Sequence, residues 1–216
     1  MNTLFHEFGH CFHAAMSRTE LEVLAAFDVF WDFVEVPSQF FENFSYDFAV
    51  MKKLAVDREG NSIPDELLQK NLKRKTYLNS PYVMNQLVYG MLDLKVHSSN
   101  DWEKEEANAD FSKLDNYLFK VLAPFRVDFG FKYRIFHRYF SHIFSSVYGY
   151  TCGYYSYFWS DVIQAHLFEE FQKHGDFQKY VDCILKPGNS EDPNVLIEKF
   201  CGGFGFDAFF RSYGLE

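Results

Sequence analysis

The sequence contains little cysteine. Its 216 residues include only four cysteines, at positions 11, 152, 183 and 201, and no two of them form a C-x-x-C pair. This spacing argues against a disulfide framework or a cysteine-based metal site, and it favours free thiols in a reducing compartment. The first residues also lack the basic and apolar segments of a secretion signal. We therefore predict a cytoplasmic protein.

Basic charge is also scarce. The chain has 21 Lys and Arg against 30 Asp and Glu, a formal net charge of −9, and no Lys/Arg-rich run long enough to form a basic face. Residues 139–160 contain no charged side chain and could span a bilayer by length. They are rich in Tyr, Ser and Gly, however, and His142 interrupts them, unlike a lipid-facing helix. We predict no nucleic-acid partner and no membrane span.

What the chain does contain is typical of one globular domain of ordinary size. Hydrophobic residues make up 48 % and charged residues 24 %, with no internal repeat. Aromatic residues reach 20 %, including 27 Phe. These rings could line a groove for apolar peptide side chains, but aromatic residues mostly fill cores, and we favour that interpretation.

Hydrophobic periodicity predicts a mainly α protein with weak strand signals. The first helix is apolar around most of its surface, which predicts a buried helix. Asp32 and Glu35 resemble a capping box at the start of the second helix, after an irregular connection at 19–34. The expected helices span residues 4–17, 35–55, 62–78, 82–97, 131–147, 154–173, 176–185 and 193–200, with a further helix ending near Leu122.

Residues 6–10, HEFGH, form an H-E-x-x-H motif. Side chains four apart share one helix face, so His6 and His10 can bind one zinc ion, and Glu7 beside them can act as general base on a water. Gly9 is costly within a helix and indicates close packing on another element. The motif also arises by chance, so a third ligand matters.

Two residues compete for that third position. Glu35 stands at the predicted start of the next helix, where its carboxylate could meet the first helix. His13 lies three residues past His10, on roughly the same face. The residues alone leave both open.

The segments around these residues carry a longer pattern. Residues 3–13 read TLFHEFGHCFH and residues 31–43 read WDFVEVPSQFFEN. They resemble the T-L-F-H-E-F-G-H-x-x-H and D-F-V-E-x-P-S-Q-x-x-E-N motifs, at the same separation, of the thimet oligopeptidase family of zinc metallopeptidases, which includes oligopeptidase A and dipeptidyl carboxypeptidase. The resemblance implies that His6, His10 and Glu35 bind zinc and that Glu7 is the catalytic base. Glu42, two helical turns beyond Glu35, would orient a zinc-bound histidine, or else is a surface residue.

A second segment bears tyrosines at helical spacing, which alone would indicate a core stripe. Residues 140–144 and 149–157 read FSHIF and GYTCGYYSY, similar to the family's F-x-H-I-F-x-G-G-Y-x-A-G-Y-Y-S-Y. The resemblance implies catalytic roles for His142, Tyr150 and Tyr157 and substrate binding by Tyr154. Eight residues separate His142 from Tyr150, a longer spacing than in the family, and residues 25–28 and 202–205 also depart from its pattern.

The resemblance implies a zincin-type, mainly α catalytic region with little or no β-structure, holding one zinc ion and hydrolysing short peptides. Family members are longer, so residues 1–216 are expected to be the C-terminal catalytic domain of a larger architecture. Its partner would then be a separate N-terminal half, or a second copy bound through exposed apolar surface. The alternatives are a non-catalytic helical fragment that retains the motifs, and a protein-binding module whose H-E-x-x-H is accidental.

Overall fold

Helices account for most of the residues that the computed structural model describes, namely 1–77, 79–108, 110–127, 136–146 and 149–215. The α-helices in these ranges are α1 Asn2–Met16, α2 Val36–Glu42, α3 Phe48–Leu54, α4 Asp65–Lys73, α5 Asn79–Ser98, α6 Lys113–Leu122, α7 Ser141–Phe144, α8 Tyr155–His174, α9 Phe177–Tyr180, α10 Pro193–Cys201 and α11 Asp207–Tyr213. The only β-pairing in the described ranges is an isolated bridge between Val56 and Ser62. The prediction of a mainly α fold is confirmed.

The chain divides into two compact units. Unit 1 comprises Met1–Asn79 and Trp159–Glu216, and unit 2 comprises Ser80–Phe158. The prediction that residues 1–216 act as one catalytic domain stays a prediction.

An aromatic core holds unit 1 together. Phe33, Val36 and Phe40 are almost completely buried, and the rings of Phe40 and Tyr180 stack at 3.9 Å between centroids. The remaining buried members of this cluster are Phe41, Ile163, Leu167, Ile184, Leu185, Leu196, Ile197 and Phe200. The interpretation that the phenylalanines fill the core therefore holds for the second helix. The burial of this helix also fixes the position of Glu35, which stands at its start.

Unit 2 has a smaller core built mainly from α5 and α6. Val88, Leu92 and Leu118 are fully buried there, and Tyr150 and Tyr154 pack against them. The start of α6 is fixed by a capping box, in which Ser112 accepts from the backbone N–H of Asp115 and the Asp115 carboxylate accepts from that of Ser112.

Several predicted boundaries are wrong. The helix expected over 35–55 is interrupted by a 3₁₀ turn at Asn43–Tyr46, after which Asp47 caps α3. The capping box expected from Asp32 is not formed, because Glu35 itself is the N-cap residue of α2 and has no side-chain capping bond. Its carboxylate instead faces α1.

Three further elements differ from expectation. The first helix is not buried all round, since Leu4 and Phe8 are about half exposed, at 54 % and 50 %. Of the helix expected over 131–147, residues 131–135 and 147 lie outside the described ranges, and the rest contains a 3₁₀ turn at Phe136–Tyr139 and the short α7. The α11 helix was not predicted. No helix among the described residues is both long and apolar enough to cross a membrane.

Candidate metal centre

The α1 and α2 helices approach each other at Gly9. A β-carbon at this position would lie 2.5 Å from the carbonyl oxygen of Pro37 and 2.5 Å from the Cα of Ser38. Both atoms belong to the backbone, so no side-chain rotation could make room. The predicted close packing at Gly9 is confirmed, and it brings the start of α2 onto the histidine-bearing face of α1.

Three potential ligand atoms converge at this crossing. Glu35 Oε2 lies 3.3 Å from His6 Nε2 and 3.2 Å from His10 Nε2. Within the described ranges these residues form the only group of His, Cys, Asp or Glu side chains with three ligand atoms within 4.8 Å of one another. The histidines come from successive turns of α1, as the motif spacing predicts, and the carboxylate comes from the N-cap residue of α2.

The charges of this group are strongly coupled. The hydrogen bond to Glu35, followed by that to Glu42, raises the pKa of His6 to about 10. Burial alone would raise the pKa of Glu35, but hydrogen bonds from His10, His6 and Ser38 outweigh it and hold that pKa well below its usual range. The site therefore places a carboxylate beside two imidazoles, an arrangement that attracts a cation.

Glu42 lies behind His6. Its Oε1 accepts a hydrogen bond from His6 Nδ1 at 2.7 Å, which leaves Nε2 directed at Glu35. Its Oε2 accepts from Asn2 at 2.8 Å, and Asn2 in turn accepts from Ser45 at 2.9 Å. The carboxylate is therefore held on both oxygens and can fix the ring orientation and tautomer of His6.

Ser38 supports Glu35 and was missed in the sequence. Its hydroxyl is fully buried and lies 2.7 Å from Glu35 Oε2 and 2.9 Å from the Glu35 carbonyl oxygen. The available signal was a serine three residues after a carboxylate at a helix start, which places the two side chains on one face.

Two other predicted residues lie beside the group without joining it. His13 is fully buried, and burial, with the nearby His10, lowers its pKa to about 4. Neither of its ring nitrogens has a hydrogen-bond partner among the described residues, and neither belongs to the converging set. Glu7 lies between the two histidines in sequence, and its side chain is exposed.

In unit 2, the predicted aromatic residues come together. Tyr150 and Tyr157 stack with ring centroids 5.9 Å apart, and their hydroxyl oxygens are 2.9 Å apart. Tyr154 lies 5.3 Å from Tyr157, and His142 lies 5.7 Å from Tyr150, both measured between ring centroids. The cluster forms despite the longer spacing after His142, part of which, residues 147 and 148, lies outside the described ranges.

Burial raises the pKa of Tyr154 to about 12, with smaller contributions from Tyr89 and Tyr150. Like any tyrosine at neutral pH, it carries its phenol proton and can donate a hydrogen bond. All four cysteines are free thiols in the structure, as predicted.

Comparison with known protein families shows which family this chain belongs to. The model of Peptidase family M3 matches residues 1–212. The chain belongs to this family. The resemblance carried by residues 3–13 and 31–43 is thereby confirmed.

Curated relatives agree with membership of the M3 family. Oligopeptidase A of Salmonella typhimurium (strain LT2) is 34 % identical over an alignment of 227 residues. The alignment covers 99 % of this chain and 32 % of the relative. Dipeptidyl carboxypeptidase of Escherichia coli (strain K12) is 31 % identical, with 93 % of this chain and 29 % of the relative covered. Thimet-like oligopeptidase of Dictyostelium discoideum is 28 % identical, with 99 % of this chain and 32 % of the relative covered. The chain thus spans about a third of the length of these relatives.

The residues of this M3 chain fit a zinc ion. Two imidazole nitrogens and one carboxylate oxygen are a ligand set that catalytic zinc uses, with a further coordination position left for water. Two of these side chains are also held in place: Glu42 accepts from His6 Nδ1, and Ser38 donates to Glu35 Oε2, the oxygen that faces both histidines.

Proposed function

We propose that this chain carries the zinc site of a metallopeptidase that hydrolyses peptide bonds in short peptides. The observation that carries the proposal is the convergence of His6 Nε2, His10 Nε2 and Glu35 Oε2 at the α1–α2 crossing. Membership of a peptidase family supports the same chemistry.

In this proposal His6, His10 and Glu35 hold zinc, while Glu42 and Ser38 orient two of these ligands. Bound zinc would supply a Lewis acid that polarises a carbonyl and lowers the pKa of water to about 7. Glu7, on the exposed side of α1, would accept the proton of the attacking water and return it to the leaving amine. Its exposure leaves the carboxylate accessible to substrate.

We propose that Tyr157 and Tyr150, with His142, donate hydrogen bonds to the negative charge that develops on the carbonyl oxygen, and that Tyr154 holds the peptide. Phenol and imidazole N–H or O–H groups stabilise such a charge when they are held in place beforehand. The hydroxyl contact between Tyr150 and Tyr157 brings two phenol donors together, which supports this role.

The test of the metal assignment is zinc stoichiometry. We expect about one zinc per chain by elemental analysis after dialysis, since three protein ligands form a minimum catalytic set. Glu35→Ala should lose most of this zinc, because it removes the carboxylate oxygen that both histidine Nε2 atoms contact.

His13→Ala is the matched comparison, since His13 is also buried on α1 but lies outside the ligand group. It should keep its zinc, with helical content checked by circular dichroism. Zinc retained in Glu35→Ala and lost in His13→Ala would make His13 the third ligand. A chain that binds zinc but cleaves no short peptide would favour the non-catalytic helical fragment instead.

A second prediction concerns the phenols. Tyr157→Phe should lower kcat for a short fluorogenic peptide by about 10²–10³-fold with little change in KM, as expected when a donor to the transition state is removed. Tyr150→Phe should cause a smaller loss. Tyr139→Phe, which alters an exposed tyrosine of the same unit, is the control. Unchanged kcat in both Tyr157→Phe and Tyr150→Phe would mean that these rings serve only in packing.

A further inference from the structure

Asp93 is a fully buried carboxylate on α5 that the proposed chemistry does not use. A buried charge is costly unless its oxygens accept hydrogen bonds, so its partners indicate why it is there. Those partners lie in the segment that carries the tyrosines.

Both carboxylate oxygens of Asp93 accept from the backbone of one turn. The N–H of Cys152 donates to Oδ1 at 3.0 Å, and the N–H of Tyr154 donates to Oδ2 at 2.9 Å. His97, one turn further along α5, donates from Nδ1 to Oδ1 at 2.8 Å. Asp93 thereby joins two turns of α5 to the backbone between Tyr150 and Tyr157.

The turn itself has an unfavourable backbone. Cys152 has a φ of +57°, a left-handed conformation that residues with a β-carbon rarely adopt. Next to it, the N–H of Gly153 donates to the carbonyl of Tyr150 at 2.7 Å and closes the turn. Such a conformation persists when surrounding contacts determine it, and the bidentate acceptor is such a contact.

The same face of α5 packs against the turn. A β-carbon at Gly90, three residues before Asp93, would lie 3.5 Å from the Cα of Tyr155, where α8 begins. The small residue and the carboxylate are on one side of the helix. The backbone of residues 152–155 is therefore packed against α5 and hydrogen-bonded to it.

We propose that Asp93 is a positioning residue that fixes the 150–154 turn and thereby aligns the hydroxyl groups of Tyr150 and Tyr157. The inference rests on the proposed function for the catalytic meaning of that alignment. A neutral amide at position 93 offers only one acceptor oxygen, so one of the two backbone N–H groups would face an N–H₂ donor. Asp93→Asn should therefore release the turn while changing the shape of the side chain little.

The direct test is amide hydrogen exchange on the full chain, which requires neither zinc nor peptide cleavage. In Asp93→Asn, exchange at Cys152 and Tyr154 should accelerate about tenfold or more, as loss of a hydrogen bond to a charged acceptor implies. Exchange in α6 should stay close to that of the parent. Asp115→Asn is the control, because Asp115 is also buried in unit 2 but caps α6 and pairs with Arg138.

A fluorine resonance gives a readout of alignment. With 3-fluorotyrosine at position 157, Tyr150→Phe defines the chemical shift when the hydroxyl contact is absent. Asp93→Asn should move the resonance towards that position, and Asp115→Asn should leave it in place. Adding Cys152→Gly should partly restore the parent signal, because glycine adopts a positive φ at low cost.

Asp93→Glu is a second variant, which keeps the negative charge but moves the carboxylate by one methylene. It should produce smaller changes in the exchange of Cys152 and Tyr154 and in the fluorine shift. Unchanged exchange and fluorine shift in both variants would overturn the proposal. Loss of protection in α6 together with the turn in both variants would also overturn it, since Asp93 would then support the whole unit. Zinc loss in Glu35→Ala is measured separately, so the two proposals can fail independently.

Discussion

Glu7→Gln is expected to keep about one zinc per chain and to lower peptide turnover by about 10²–10⁴-fold. The substitution preserves the size of the side chain but removes the carboxylate that accepts the proton from water. His6, His10 and Glu35, which converge without Glu7, are left intact. KM should change little if the loss concerns proton transfer alone. The measurement is zinc content and steady-state cleavage of a short fluorogenic peptide, each compared with the parent chain.

Glu198→Gln is the matched control for charge removal, because Glu198 is an exposed glutamate on α10 of the same unit. It should behave like the parent in both measurements. Turnover retained by Glu7→Gln would remove Glu7 from the mechanism. Zinc lost by Glu7→Gln would mean that this side chain contributes to metal binding.

The ligand geometry was largely predictable because it depends on local spacing. His6 and His10 share a face of any helix, and the prediction needed only that α1 be helical. Glu35 required tertiary information, which the resemblance supplied. The hydrogen bond from Ser38 to Glu35 was not predictable. In the sequence Ser38 is an ordinary serine in the first turn of a helix, and only the crossing at Gly9 shows that it is buried against α1.

The wrong boundaries have a common physical origin. The helix predicted over 35–55 contains the weak helix formers Asn43, Ser45 and Asp47, and tertiary contacts stabilise the 3₁₀ turn at Asn43–Tyr46. Asn43 donates from its amide to Gln164 at 2.6 Å and accepts from Lys75 at 2.8 Å. Both partners are distant in sequence, so no local pattern could signal them. Asp93 was missed for the same reason, since the two backbone N–H groups that donate to it, at Cys152 and Tyr154, lie about sixty residues away.

Gly9→Ala is expected to destabilise the chain and weaken zinc binding together. The added β-carbon would lie 2.5 Å from two backbone atoms of α2, so the helices must separate. Because His6 and His10 lie on α1 and Glu35 begins α2, separation opens the ligand group. We expect a loss of stability of about 1–3 kcal/mol or more, typical of overpacking, despite a helix-propensity gain of about 1 kcal/mol. Zinc affinity should fall about 10–100-fold, as when the support of a ligand is lost.

Gly90→Ala separates crowding from helix propensity. Gly90 also lies within a long helix and is buried, but its added β-carbon would meet its nearest neighbour at an ordinary 3.5 Å. The propensity gain should therefore leave this variant as stable as the parent or more so, with unchanged zinc affinity. Thermal unfolding of metal-free protein and zinc competition with a chromophoric chelator measure the two effects. If Gly9→Ala matched Gly90→Ala in both, the close crossing of α1 and α2 would not be what holds the three ligands together.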